Sequence, residues 1–213
     1  MSVIRRTEVL GRTTRRRVVG VTAALSAAAV ETLGVGLWFG LVVGSRTTTT
    51  ALAGLGVLFC GALLRTVVVD ATIGDLGDLL QPHRLAAPLL LTGGWICWLL
   101  VAELVGDVAG VAVATVVLTA VLTAQCRLER RVCDRYARYR TGWLVGPGLL
   151  LALGAAALLA SAWFTGWTLS SGPISLGITT VVVRLEAVHL GAVAFGFAAV
   201  LAHQRRFQRL LGS

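Results

Sequence analysis

Six apolar runs, each long enough as a helix to cross a hydrocarbon layer about 30 Å thick, follow one another along the chain and are separated by short polar or arginine-bearing segments. The runs lie at about 18–44, 51–71, 86–106, 108–125, 145–167 and 175–203. The tip Ser45-Arg46-Thr47-Thr48-Thr49-Thr50 reverses the chain after the first run, and Gly106-Asp107 makes a tight turn between the third and fourth. A loop holding Asp75, Asp78, Gln81, Pro82, His83 and Arg84 separates the second from the third. The pattern predicts an all-α fold, a polytopic transmembrane bundle of six helices over 18–203, with a basic segment 1–17 before it and a basic tail 204–213 after it.

Composition supports that class. Of 213 residues 56 % are apolar and only 14 % charged, against about a quarter charged in ordinary soluble domains. The net charge of +9 comes entirely from arginine, since the chain has no lysine, and the arginines flank the apolar runs. Arg5, Arg6, Arg12, Arg15, Arg16 and Arg17 precede the first run, Arg127, Arg130, Arg131, Arg135, Arg138 and Arg140 separate the fourth from the fifth, and Arg205, Arg206 and Arg209 follow the sixth. Such segments stay in the cytoplasm, so both termini are expected there and the protein is expected in the cell membrane. Thr14-Arg15-Arg16-Arg17 resembles a twin-arginine export signal, but the apolar run that follows continues well past any Ala-x-Ala cleavage point. The arginines of 127–140, interleaved with Tyr136 and Tyr139, are candidates for contact with anionic lipid headgroups. Nucleic acid is not an expected partner, because the membrane accounts for where the charge lies. The cysteines Cys60, Cys97, Cys126 and Cys133 form no C-x-x-C pair, and neither a disulfide framework nor a metal site is expected.

Five charged or histidine residues fall in the outer half of the runs. Counted at 1.5 Å per residue from Arg17, Arg84 and Arg205, Glu31 lies about 20 Å deep, Glu186 and His189 about 24 to 28 Å, Glu103 about 28 Å and Arg184 about 30 Å. Charges at such depths are costly and normally face the bundle interior in pairs. The expectation is an outward-facing polar pocket of Glu31, Glu103, Arg184, Glu186 and His189, with Glu31 or Glu103 pairing Arg184. Glu186 and His189, three apart on a helix, would share a face. Arg65 and Asp70, near the end of the second run, read as snorkelling to the interface or pairing locally. Trp38, Trp95, Trp98, Trp163 and Trp167 read as an outer aromatic belt.

No metalloprotease, nucleophile-elbow, P-loop or dinucleotide motif occurs in the sequence, so enzyme chemistry has no visible apparatus. His189 and His203, 14 residues apart, have the spacing of stacked haem ligands, but the remaining histidine, His83, would serve only His203, which makes an electron-transfer subunit with haem between His83 and His203 the third reading. The first is a protein that binds or passes a small solute or ion, with Glu31, Glu186 and His189 as its protonatable core. The second is a structural or accessory subunit whose buried charges set helix register and whose partner is another membrane protein.

Overall fold

The computed structural model describes residues 3–45, 47–73, 82–133, 145–175 and 177–211, and the side chains of 18–45, 47–69, 71, 85–127, 145–173, 175 and 177–208. Six helices account for most of it: α1 (Val3–Gly44), α2 (Thr48–Ile73), α3 (Pro82–Val105), α4 (Asp107–Cys133), α5 (Val145–Phe164) and α6 (Ala187–Leu211). Each is long and apolar enough to cross a membrane. Successive helices pack against each other, and α6 returns to α1 to close a ring in which α2 and α3 share the thinnest contact between chain neighbours. Six antiparallel passes put the start of α1 and the end of α6 at one end of the ring.

Local chemistry sets the ends of the helices. Thr47 and Thr50 cap α2 reciprocally, since Thr50 N–H donates to Thr47 Oγ1 at 3.2 Å and Thr47 N–H donates to Thr50 Oγ1 at 3.1 Å. This is the geometry of a capping box, with threonine in the place of the usual Glu or Gln. Between α3 and α4 the chain turns through two left-handed residues, Gly106 (φ 72°) and Asp107 (φ 50°), and Gly106 N–H closes the last turn of α3 on Ala102 O at 2.9 Å. Glycine and aspartate are among the residues that adopt this conformation at least cost.

The sixth apolar run does not form one helix from Ser175 to His203. Residues 168–186 instead build an exposed antiparallel ribbon, with β1 (Thr168–Ser170) on β4 (Arg184–Glu186) and β2 (Ile174–Ser175) on β3 (Thr180–Val181), and α6 begins only at Ala187. The physical reason lies in Ile178-Thr179-Thr180-Val181-Val182-Val183, six consecutive β-branched residues that favour strand, preceded by the helix-breaking Gly172-Pro173. Ser170 pairs with Arg184 and Ile174 with Val181, so three residues on one strand oppose two on the other. Leu169 pairs with Leu185, and strand alternation puts Val181 and Val183 on the same face of the ribbon as Leu185.

The core is aromatic at its centre. Trp95 stands edge-on to Trp98 (5.5 Å, 89°) and to Phe195 (5.6 Å, 85°), and Phe39 leans on Trp98. Trp38, Trp95 and Trp98 are buried inside the ring and do not join an outer belt, whereas Trp167 is exposed. Their size fills the space between helices, and edge-to-face contacts suit their quadrupoles.

Glycine brings α1 and α2 together. Gly34 and Gly61 face each other so closely that a Cβ on Gly61 would stand 3.3 Å from Gly34 Cα, and one on Gly34 would stand 3.5 Å from Gly61 Cα. Close backbone approach of this kind is how small residues join helices in lipid. Replacing Gly61 by Leu should force the helices apart at a cost of about 1–3 kcal/mol. Gly56→Leu, on the same helix where a Cβ meets nothing within 4 Å, is the control. Thermal melts of both variants in detergent check this, and equal melting temperatures would show that the glycine contact does not hold the hairpin.

Candidate functional site

The Gly34–Gly61 contact has a direct electrostatic consequence. Glu31 lies one turn before Gly34 on α1 and Arg65 one turn after Gly61 on α2, so the antiparallel hairpin puts them at one level. Arg65 Nη1 donates to Glu31 Oε1 at 3.1 Å. The second carboxylate oxygen, Oε2, lies 2.6 Å from Nε2 of His203, which arrives on α6. Gly196, two turns earlier on α6, packs against Thr32 of α1 and holds the two helices in register. All three side chains are buried, with Glu31 at 4 %, Arg65 at 3 % and His203 at 1 % exposure.

A carboxylate in a low-dielectric interior is tolerated only when paired and fully hydrogen-bonded, and here each oxygen has its own donor group on a different helix. Arg206, one turn beyond His203, adds a second guanidinium within electrostatic range of Glu31. Gln125 of α4 is also buried, at 2 % exposure. Two cavities of about 10 Å³ flank the centre. One touches Glu31, Arg65 and Trp95, and the other touches Arg65, Cys126, His203 and Arg206. Each is at the lower limit of what one water molecule needs. His203 lines the second, and its Nδ1 is buried with no hydrogen-bond partner among the described residues.

Of the five residues expected in one pocket, only Glu31 belongs to this centre. Arg184 and Glu186 sit in β4, exposed, because the chain there is strand and not helix. Glu186 N–H donates to His189 Nδ1 at 2.9 Å, so His189 caps the start of α6 and remains at the surface. Glu103 is exposed near the end of α3. These four occupy the end of the ring opposite the termini, whereas Glu31 pairs in the half that carries the termini: Arg65 is four residues from Val69 and His203 five from Gln208, the ends of their apolar windows. Depth counted from Arg17 overstates the position of Glu31, because the apolar part of α1 runs for 27 residues, about 40 Å, longer than a membrane core is thick.

Arg65 does not snorkel; it turns inward to Glu31. The signal for that pair was present in the chain, since residues 31 and 65 are equidistant from the threonine tip at 48 and any tight hairpin about that tip must align them. His203 carried no comparable signal, because its place depends on α6 closing against α1. His203 Nε2, the nitrogen a haem would require for the third reading, is engaged by Glu31, and the side chain of His83 lies outside the described residues. Of the arginines of 127–140, the side chain of Arg127 is described, exposed on α4, and those of Arg130, Arg131, Arg135, Arg138 and Arg140 lie outside the described residues. Cys60 and Cys97 are exposed, Cys126 is half-buried and the side chain of Cys133 lies outside the described residues.

Removing one partner of a buried ion pair typically costs about 3–5 kcal/mol, because the other charge stays behind in the interior. Arg65→Leu should therefore lower the melting temperature sharply, and Glu31→Gln combined with Arg65→Leu should recover much of the loss. A double-mutant cycle measures the coupling; single effects that add to within about 0.5 kcal/mol would show that the two residues do not act as a pair. No protein-family model, curated protein or solved structure matches this chain.

Proposed function

We propose that this chain is a multi-pass protein of the cell membrane, with both termini in the cytoplasm, in which Glu31 and His203 hold and exchange a proton during the passage of a small solute or ion. The observation that carries this reading is the 2.6 Å contact between Glu31 Oε2 and His203 Nε2, deep in an apolar ring and built from helices at opposite ends of the chain. A carboxylate and an imidazole at that distance are two proton-binding groups joined by one hydrogen bond. Ionisable groups within membrane spans commonly mark proton relays and ion pathways.

The size of the flanking cavities narrows the moving species. The two cavities beside the pair have room for single waters. A proton needs only that; anything larger requires the ring to open, and the thin α2–α3 contact is where separation would cost least. The aromatic cluster of Phe39, Trp95, Trp98 and Phe195 fills the centre of the ring, so access to the pair is favoured from the end with the termini.

The competing reading is a structural or accessory subunit in which the same three residues fix helix register for a partner protein, and the glycine-directed Glu31–Arg65 pair is the observation in its favour. Flux separates them. Protein reconstituted in vesicles with a pH-sensitive dye inside, under a potassium-diffusion potential, should acidify the lumen, and Glu31→Gln and His203→Gln should each lower that rate at least tenfold while the protein still elutes as a folded species. A wild-type rate equal to that of empty vesicles, with both substitutions lowering the melting temperature, would overturn the proton reading and leave the scaffold.

A further inference from the structure

On the outer surface of the ring, away from the Glu31 centre, α4 and α5 diverge to leave a groove of about 470 Å³. Its α4 wall is a ridge of residues four apart, Thr115, Thr119, Thr123 and Arg127, with Ala120 beside it, and Leu149 of α5 stands opposite. The threonines do not make the wall polar. Their hydroxyls donate back to the helix, Thr115 to Val111 O at 2.6 Å, Thr119 to Thr115 O at 2.7 Å and Thr123 to Thr119 O at 2.7 Å, which satisfies their donors within α4. The result is an apolar channel with one charge at its rim.

Length and charge together point to an occupant. From Arg127 to Thr115 the ridge runs 12 residues, about 18 Å, close to the half-thickness of a hydrocarbon core about 30 Å across. A guanidinium at the mouth and a mostly apolar trough one leaflet deep match a phosphodiester headgroup followed by an acyl chain. We propose that this groove binds one anionic phospholipid, with its phosphate at Arg127 and one acyl chain along Thr115–Thr123. A second copy of this chain fits the trough less well. The sequence continues from Arg127 with five more arginines to residue 140, and two such segments brought together would repel, whereas an anionic headgroup is attracted by about 1 kcal/mol per basic residue near the surface. The proposal rests on the chain spanning a membrane and not on proton movement, so it stands or falls separately from the flux experiment.

The full-length protein, delipidated in mild detergent and titrated with phosphatidylglycerol or phosphatidylcholine of the same acyl length, is examined by native mass spectrometry for bound lipid. One phosphatidylglycerol should be retained at least tenfold more tightly than phosphatidylcholine, with inorganic phosphate failing to compete. Arg127→Gln should reduce the preference to less than twofold while some of either lipid is still retained, and Ala120→Phe, which fills the trough from an exposed position, should abolish retention of both without lowering the melting temperature in detergent alone. Equal retention of the two lipids by the wild type, competition by inorganic phosphate, or unchanged binding in Ala120→Phe would overturn the proposal. So would a wild-type dimer that Ala120→Phe converts to monomer, which would assign the trough to a second copy.

Discussion

One carboxylate organises the interior of this protein. Glu31 sits where water is scarce and no charge is stable alone, so the bundle is constrained to bring it a donor for each oxygen. Arg65 satisfies one from α2 and His203 the other from α6, and with those two contacts the positions of three helices are tied to one another. The Gly34–Gly61 approach, the Gly196–Thr32 contact and the small cavities beside the pair are the packing that this arrangement requires. Shifting α1 by one turn would carry the carboxylate about 5.4 Å away from both partners, which is why a polar centre can specify register more sharply than aliphatic packing does.

Around that centre the ring divides into regions of different character. Toward the end without the termini, Phe39, Trp95, Trp98 and Phe195 form an aromatic core. Toward the terminal end, polar groups gather at Gln125, His203 and Arg206, and a second apolar cluster of Ala23, Ala27, Val69 and Phe207 packs α1, α2 and α6 together. The outer face at α4 and α5 is different again, a groove whose polar atoms are turned back on their own helix.

Much of this was legible in the amino-acid pattern and some was not, for identifiable reasons. Runs of apolar residues about 20 long report helices directly, because lipid leaves a spanning backbone few other ways to satisfy its hydrogen bonds, and five of the six runs meet helices within a few residues at most ends. The sixth misleads because mean hydropathy does not separate a buried helix from an apolar ribbon: Val181, Val182 and Val183 score as well as any leucine yet are β-branched and lie exposed in and beside β3. That reading placed Arg184 and Glu186 inside a helix where the chain forms β4, whereas His189 does lie in α6, exposed at its start. Glu31 was legible as a buried acid from its position alone. Its partners depend on which helices meet, and Arg65, so near the end of its run, resembles the many arginines that reach for the interface.

The order of elements along the chain adds a temporal dimension to the Glu31 centre. Its first two members lie only 34 residues apart in one hairpin, so their ion pair can form as soon as α1 and α2 are both made. Its third is 172 residues from Glu31, in the last helix to be synthesised. A nascent chain that has not yet produced α6 therefore carries a half-satisfied carboxylate in its core and an unsealed flank on α1. Closure of the ring and completion of the polar centre are therefore one event.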